Sequence, residues 1–155
     1  MKSFISYITE AAKGDCYEAA FHWLLELPTE VTDKAKLCHG MVHGAGPLEG
    51  KKFGHAWGEL GGVIFDYSNG RKGEYIKALY YSAGRIDESE VFCYPGLKGL
   101  GKAARAKHYG PWDMTGATVD VPVSGAMAEE IPNKISKIGK RKDRIPRNIY
   151  SRFKQ

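Results

Sequence analysis

The sequence predicts an α+β fold, in which an antiparallel sheet packs against an N-terminal helix that carries a cysteine. Residues 16–27 repeat apolar side chains at helical spacing, which is typical of a helix packed on one side. Residues 53–67 form two strand-like segments around Gly61-Gly62, which is typical of a β-hairpin. A chain of 155 residues with 43% hydrophobic content can bury one sizeable core, so we expect a single mixed domain.

The cysteine-bearing helix is predicted to begin directly after Gly14. Residues 1–13 have the pattern of a short amphipathic helix and lack the apolar stretch of a signal peptide. Asp15 is a natural N-cap, and Pro28 ends the helical run. The apolar positions on the predicted buried side are Ala20, Trp23, Leu24 and Leu27. Cys16 therefore falls in the first turn, where unpaired backbone N–H groups and the helix dipole favour a thiolate.

The hairpin predicts which side chains share a face of the sheet. With Gly61-Gly62 as the turn, Asp66 lies opposite Trp57, and Ser68 lies opposite His55. His55 and Asp66 are then diagonal neighbours on one face, with a backbone separation of about 7–8 Å that their side chains can span. A slip of one residue would move Asp66 to the other face, so the prediction depends on the register.

The rest of the chain is predicted to supply scaffold. Tyr109 to Trp112 has the pattern of an aromatic turn that closes the domain, and the glycines of residues 44–50 predict a loop between strands. That loop either connects two strands or brings backbone N–H groups to a substrate. The predicted elements are a strand Ala35–His43, a helix Gly73–Ala83, a strand Glu90–Tyr94, a helix Lys98–His108 and an edge strand Thr118–Val123.

Cys16, His55 and Asp66 are the candidate catalytic residues. They are the three residue types of a thiol nucleophile, the base that activates it and the carboxylate that orients the base. Each residue alone has an ordinary structural explanation, as a small buried thiol, a core histidine or a turn-forming aspartate. Their order along the chain, with a helix start, a strand and a second strand across a tight turn, favours the catalytic interpretation.

These residues resemble the transglutaminase-like core of the papain-like superfamily. The resemblance rests on Gly14-Asp15-Cys16, His55-Ala56-Trp57 and Val63-Ile64-Phe65-Asp66, and it covers about residues 14–70. It departs from the family at Ser68-Asn69-Gly70, where proline is frequent. The resemblance implies a Cys/His/Asp triad, an antiparallel sheet packed against the cysteine-bearing helix, and amide or thioester acyl chemistry. It also implies an oxyanion hole that uses the Cys16 backbone N–H.

The predicted function is a cysteine hydrolase that cleaves an amide, isopeptide or thioester bond through an acyl-thioester. The same triad serves an acyltransferase, a deamidase or a transglutaminase, which differ in whether water or an amine resolves the thioester. The expected partner is a peptide, a protein or a small acyl or amide substrate, with no cofactor. A third class is a non-enzymatic module that binds nucleic acid or protein.

The basic C-terminal segment motivates that third class. Residues 134–155 contain nine Lys or Arg and one acidic residue, a local net charge of +8. Because the whole chain carries +5, residues 1–133 carry −3. We therefore divide the chain into a papain-like catalytic domain, residues 1–133, and a basic tail, residues 134–155. The tail is either a contact surface for nucleic acid or an acidic partner, or a solvated segment.

The cysteine count predicts a reducing compartment. The chain has three cysteines, an odd number, so a disulfide framework is not expected, and Cys38 and Cys93 are predicted to be core or strand residues. No apolar stretch approaches the ~18 residues of a membrane span. Residues 54–57 with residues 108–112 also resemble small uncharacterised bacteriophage proteins. We expect a cytoplasmic protein, in the host cytoplasm if a phage encodes it, with no membrane partner.

A metal site is the chemical alternative to the triad. Cys38-His39 and His43 offer sulfur and imidazole ligands, and Cys16, Cys93 or His108 could complete a set of four. Adjacent residues on a strand point to opposite faces, so Cys38 and His39 are not expected to reach one ion. Paired motifs such as Cys-x-x-Cys are absent from the sequence. The sequence therefore predicts no metal site.

Overall fold

The computed structural model describes residues 15–44, 49–70 and 72–114. The predicted N-terminal helix of residues 1–13, the edge strand Thr118–Val123 and the basic tail of residues 134–155 lie outside the described residues, as do residues 45–48 of the glycine-rich loop.

In the described chain two helices precede four successive strands, and a helix, a fifth strand and a last helix follow. No helix in this part of the chain is long and apolar enough to cross a bilayer. In chain order the elements are α1 (Cys16–Glu26), α2 (Thr29–Thr32), β1 (Lys36–His43), β2 (Lys52–Leu60), β3 (Val63–Asp66), a 3₁₀ turn (Ser68–Gly70), β4 (Gly73–Ile76), α3 (Lys77–Ala83), a 3₁₀ turn (Glu88–Glu90), β5 (Phe92–Pro95) and α4 (Gly96–Ala106).

The five strands form one antiparallel sheet in the order β4-β3-β2-β1-β5. The hairpin between β2 and β3 has the predicted register, with Leu60 opposite Val63. Gly61 and Gly62 have φ angles of 58° and 76°, a backbone conformation that a two-residue hairpin turn requires and that glycine adopts without strain. The predicted antiparallel sheet packed against a cysteine-bearing helix is therefore confirmed.

Helices cover both faces of the sheet. On one face α1 and α4 pack against alternate residues of β1, β2 and β3, and on the other face α3 packs against the intervening residues. α1 lies especially close to β2, so that a Cβ atom at Gly58 would clash with the Trp23 ring. The same ring stacks on Phe65 of β3, with 5.0 Å between centroids. These contacts fix the position of α1 relative to the β2–β3 hairpin.

Three predicted elements differ from the structure in type or by two residues at one end or more. The predicted helix Gly73–Ala83 is instead β4 followed by α3. Its first four residues pair with β3, where Tyr75 lies opposite Ile64, and therefore form a strand. The predicted strand Glu90–Tyr94 begins later, as β5, after a 3₁₀ turn. The predicted helix Lys98–His108 is α4, shifted by two residues toward the N-terminus at each end.

Cys38 and Cys93 form a disulfide, contrary to the prediction from the cysteine count. Cys38 on β1 lies directly opposite Cys93 on β5, so the antiparallel register brings together two sulfur atoms that are 55 positions apart in the chain. The count of three was uninformative because one thiol, that of Cys16, stays free. The expected reducing compartment therefore loses the support that unpaired cysteines gave it.

Candidate active site

Cys16 is the first residue of α1 and is buried, with 6% of its surface exposed. Asp15 occupies the predicted N-cap position, and its backbone carbonyl accepts a hydrogen bond from the Ala19 N–H at 2.8 Å. The predicted apolar side of the helix is buried at Ala20, Trp23, Leu24 and Leu27. The thiol is thus attached to an element that the core holds in place.

His55 and Asp66 form a buried pair, as the hairpin register predicts. The His55 Nε2 atom lies 2.9 Å from the Asp66 Oδ2 atom, and the two residues are 2% and 4% exposed. Pairing between β2 and β3 reaches only to Gly58 and Phe65, so the predicted Trp57–Asp66 and His55–Ser68 pairs do not form and Ser68 belongs to a 3₁₀ turn. His55 and Asp66 therefore meet where the two strands separate. A charge pair this deeply buried requires hydrogen bonds to its remaining polar atoms.

The Asp66 carboxylate receives those hydrogen bonds from three neighbouring groups. Its Oδ1 atom accepts from the Ser68 backbone N–H at 3.2 Å and from the Ser68 hydroxyl at 2.7 Å. Its Oδ2 atom accepts from the Tyr80 hydroxyl at 2.8 Å. Burial opposes the charge, but His55, Ser68 and Tyr80 outweigh it and lower the pKa of Asp66 to about 2. The aspartate is therefore ionised at neutral pH.

Cys16 lies close enough to the same imidazole to influence its pKa. α1 contacts both β2 and the Ser68–Gly70 turn, which brings its first residue to the place where the strands separate. Burial disfavours the imidazolium, but charge interactions with Asp66 and Cys16 and the hydrogen bond to Asp66 raise the pKa of His55 well above its usual value. Nε2 faces Asp66, and the buried Nδ1 atom has no hydrogen-bond partner among the described residues. Nδ1 is therefore the ring nitrogen available to the thiol.

The indole ring of Trp57 covers one side of the His55 ring. The two rings are stacked, with centroids 6.3 Å apart, and Trp57 is fully buried. This is the position that the alternation along β2 predicts for Trp57. The ring excludes water from one face of the imidazole, which strengthens its electrostatic interactions with neighbouring groups.

Tyr80 and Ser68 belong to this site although neither is among the residues predicted from the sequence. Ser68 had a detectable signal, because an aspartate two positions before a serine often accepts hydrogen bonds from its backbone and hydroxyl. Tyr80 had none: it lies on α3, and only the packing of α3 against the sheet brings its hydroxyl to Asp66.

The metal ligands considered from the sequence do not converge in the described part of the chain. Cys38 and His39 face opposite sides of the sheet, as expected, and the His39 ring packs against Tyr17 and Trp112. The described group whose donor atoms approach within 4.8 Å of one another is Cys38, Glu59 and Cys93. Its two sulfur atoms are joined in the disulfide and are not the thiolates that bind metals.

Comparisons of the chain with protein-family models, with curated proteins and with solved structures found no match. The resemblance to the transglutaminase-like core therefore stays a prediction.

Proposed function

We propose that the protein is a cysteine hydrolase that cleaves an amide, isopeptide or thioester bond with Cys16, His55 and Asp66. The observation that carries the proposal is the buried His55–Asp66 pair at 2.9 Å, whose imidazole also interacts with Cys16. An imidazole between an ionised carboxylate and a thiol has the chemistry of a base that activates a nucleophile. We also propose that the sheet and α1 form a papain-like core of the transglutaminase-like type.

In the proposed reaction His55 moves a proton between Cys16 and the substrate. Nδ1 takes the thiol proton, or already holds it in an ion pair with the Cys16 thiolate, and the thiolate attacks the carbonyl carbon of the substrate. The bond to the leaving group breaks, the leaving group takes the proton from His55, and an acyl-thioester remains on Cys16. Water then attacks the thioester, gives its proton to His55 and releases the acid, while the thiol regains its proton. Asp66 holds the ring orientation and stabilises the imidazolium throughout.

The start of α1 can stabilise the negative oxygen that forms during this attack. The Cys16 backbone N–H belongs to the first helical turn, whose N–H groups have no carbonyl partner within the helix. One such donor is worth about 3–4 kcal/mol in sites that stabilise a developing oxyanion. We propose the Cys16 N–H as this donor, in agreement with the resemblance noted in the sequence.

Acyl transfer, deamidation and cross-linking are alternatives that use the same three residues. Acyl transfer and cross-linking differ from hydrolysis because an amine, and not water, resolves the thioester. Deamidation also uses water and differs only in its substrate, a side-chain amide. A non-enzymatic module that binds nucleic acid or an acidic partner through residues 134–155 is supported by the +8 charge of that segment. Binding that weakens with salt and is lost on deletion of the tail would favour the module.

The reactivity of the Cys16 thiol tests the proposal. Cys16 is the free cysteine, because Cys38 and Cys93 are joined. We expect iodoacetamide to alkylate Cys16 in the folded protein at pH 7 about 10-fold faster or more than in the urea-unfolded protein. The His55→Gln variant should lose this difference while it keeps its circular dichroism spectrum. Slower alkylation in the folded wild type than in the unfolded chain would contradict an activated thiol.

A turnover assay with fluorogenic thioester, peptide amide and isopeptide substrates follows from the same proposal. Cys16→Ala should abolish turnover without unfolding the protein, because the nucleophile is removed and a small buried side chain remains. Turnover retained in Cys16→Ala would assign the nucleophile to another residue. The substrate class that forms a covalent adduct with Cys16 identifies the bond that the enzyme cleaves. Transfer of the acyl group to an added amine identifies a transferase.

A further inference from the structure

A second group of reactive side chains lies on the sheet, apart from the triad. It consists of the disulfide between Cys38 on β1 and Cys93 on β5, together with Glu59 of β2 and Lys77 of α3. None of the four takes part in the proposed hydrolysis. The question is what chemistry a buried carboxylate provides beside a disulfide.

The two sulfur atoms of this group differ in their access to solvent. Cys38 lies on an interior strand of the sheet and is fully buried. Cys93 lies on the edge strand β5 and is partly exposed. An external thiolate can therefore approach the Cys93 sulfur and is blocked from the Cys38 sulfur. Exchange through a mixed disulfide has one accessible entry point, Cys93.

Glu59 is positioned to handle the proton of the buried sulfur. Its Oε2 atom lies 3.8 Å from the Cys38 Sγ atom, and its Oε1 atom accepts a hydrogen bond from the Lys77 ammonium group at 3.0 Å. Glu59 is itself 9% exposed. A sulfur in a disulfide carries no hydrogen and cannot donate to this carboxylate. The contact becomes a hydrogen bond only when Cys38 is a thiol, so the reduced state supplies the donor that the oxidised state lacks.

We propose that Cys38 and Cys93 form a thiol–disulfide exchange site, in which Cys93 reacts with an external dithiol and Glu59 serves Cys38 as proton donor and acceptor. In reduction, a thiolate of the dithiol attacks the Cys93 sulfur, the Cys38–Cys93 bond breaks, and its electron pair leaves on Cys38. That sulfur takes a proton delivered through Glu59. The second thiol of the reductant then attacks the mixed disulfide and releases Cys93. Two electrons and two protons pass from the dithiol, which becomes a disulfide.

Oxidation follows the reverse course. An external disulfide forms a mixed disulfide with Cys93 and releases one thiol. Cys38 gives its proton to Glu59, its thiolate attacks the Cys93 sulfur, and the second external thiol leaves. Cys38 thus acts as the resolving cysteine, and Glu59 sets the rate of the closing step.

The first test compares the two cysteines in a Cys16→Ala background, where they are the remaining thiols of the chain. Adding Cys38→Ser leaves Cys93, and adding Cys93→Ser leaves Cys38. Each folded variant is incubated with glutathione disulfide, and the adduct is followed by intact mass. We expect the adduct at Cys93 to form about 10-fold faster or more than at Cys38, because only Cys93 is accessible. Equal rates would overturn the proposal.

The second test isolates Glu59. The Cys16→Ala protein is reduced with dithiothreitol, freed of reductant and mixed with glutathione disulfide, and closure is followed by acid quench and mass. Glu59→Gln should slow closure about 10-fold or more, so that the mixed disulfide at Cys93 accumulates, while the exposed control Glu26→Gln closes at the parental rate. Closure at the parental rate in Glu59→Gln would overturn the role of the carboxylate.

A conservative variant separates this role from a loss of folding. Glu59→Asp keeps a carboxylate near Cys38 and should close faster than Glu59→Gln, with circular dichroism spectra recorded for both. If both variants close at the same reduced rate, the effect of Glu59 is structural and the proposal fails. Because every protein in these tests lacks Cys16, the outcome is independent of the proposed hydrolase activity.

Discussion

At the scale of single residues, the site depends on how completely the Asp66 carboxylate is hydrogen-bonded. Both of its oxygens are occupied, by the His55 ring, the Tyr80 hydroxyl and two donors of Ser68. Burial and the neighbouring carboxylate raise the pKa of Tyr80, so the phenol stays protonated and donates. A buried acceptor that loses one of these donors bears the cost of its lost solvation.

We therefore expect Tyr80→Phe to destabilise the protein by about 1.5–3 kcal/mol in urea denaturation, because the hydrogen bond is made to a charged group. The matched control is Tyr94→Phe, which loses a hydrogen bond to the side chain of Asp113, 40% exposed. Because solvent can replace that donor, Tyr94→Phe should lower the free energy of unfolding by less than Tyr80→Phe does. Equal losses in the two variants would contradict a special role for the Tyr80 hydroxyl.

The roles assigned to His55 and Asp66 predict unequal effects on turnover. His55→Ala removes the base and should lower kcat/KM by about 10²–10⁴-fold. Asp66→Asn keeps a side chain of the same shape, so its loss of activity should be smaller. Equal activity in the two variants would count against the assignment.

The same aspartate variant has a readout that needs no substrate. In Asp66→Asn the imidazole loses its charged partner while its burial remains, so the pKa of His55 should fall. Titration of the His55 ring by NMR measures this shift. An unchanged pKa would mean that Asp66 does not hold the charge on His55.

At the scale of elements, the site depends on how closely α1 approaches the hairpin. The contact of Gly58 with the Trp23 ring sets the distance between α1 and β2. This distance in turn determines the position of Cys16 relative to His55. A side chain added at Gly58 would displace the whole of α1, because the packed Trp23 ring cannot move aside as a flexible side chain can.

Gly58→Ala should destabilise the protein by about 1–3 kcal/mol and slow the alkylation of Cys16, since the added methyl group displaces α1 from β2. The control is Gly101→Ala in α4, where the added Cβ meets only the flexible Arg105 side chain. Alanine is the better helix former, so this control should stabilise by about 0.5–1 kcal/mol. Urea denaturation and iodoacetamide labelling measure both effects. A Gly58→Ala variant that behaves like the control would contradict the close packing.

At the scale of the whole molecule, buried ionisable groups determine how stability varies with pH. His39 is enclosed by the rings of Tyr17, Tyr94 and Trp112, and neither of its nitrogens has a hydrogen-bond partner among the described residues. Burial lowers its pKa to about 3. The nearby charges have opposing effects that do not reverse the shift; they belong to Asp113, Lys102 and His108.

Between pH 6.5 and about 3 the unfolded chain binds a proton at His39 that the folded protein does not. Stability therefore falls as the pH falls through this range, by about 1.4 kcal/mol per pH unit from this group. Asp66 adds a loss only below its unfolded value of 3.8. His55, with its raised pKa, is charged in the folded protein at these pH values, and its contribution is lost only as the pH rises through that pKa.

We expect His39→Met, which fills the same space without a titrating group, to flatten the decline of stability with acid. Relative to its own value at pH 7, the variant at pH 4.5 should retain about 2–3 kcal/mol more than the wild type does. Urea denaturation at a series of pH values measures the difference. Parallel curves for the two proteins would show that His39 is not neutral in the folded state.

The sequence was sufficient for those features that depend on neighbouring residues. Helical spacing identified α1, and the Gly61-Gly62 turn identified the β2–β3 hairpin and its register. A two-residue turn leaves only one register, and that register places His55 and Asp66 within hydrogen-bond reach. The candidate site was therefore predictable to the extent that it is built from a helix start and a hairpin.

Only the tertiary structure decided the contacts between distant parts of the chain. Pairing with β3 turned residues 73–76 into a strand, and the packing of α3 brought Tyr80 to Asp66. The β1–β5 register joined Cys38 to Cys93 across 55 positions. These outcomes depend on which elements become neighbours in space. The local pattern of side chains does not specify this, because strand pairing and helix packing are stabilised by burial over the whole molecule.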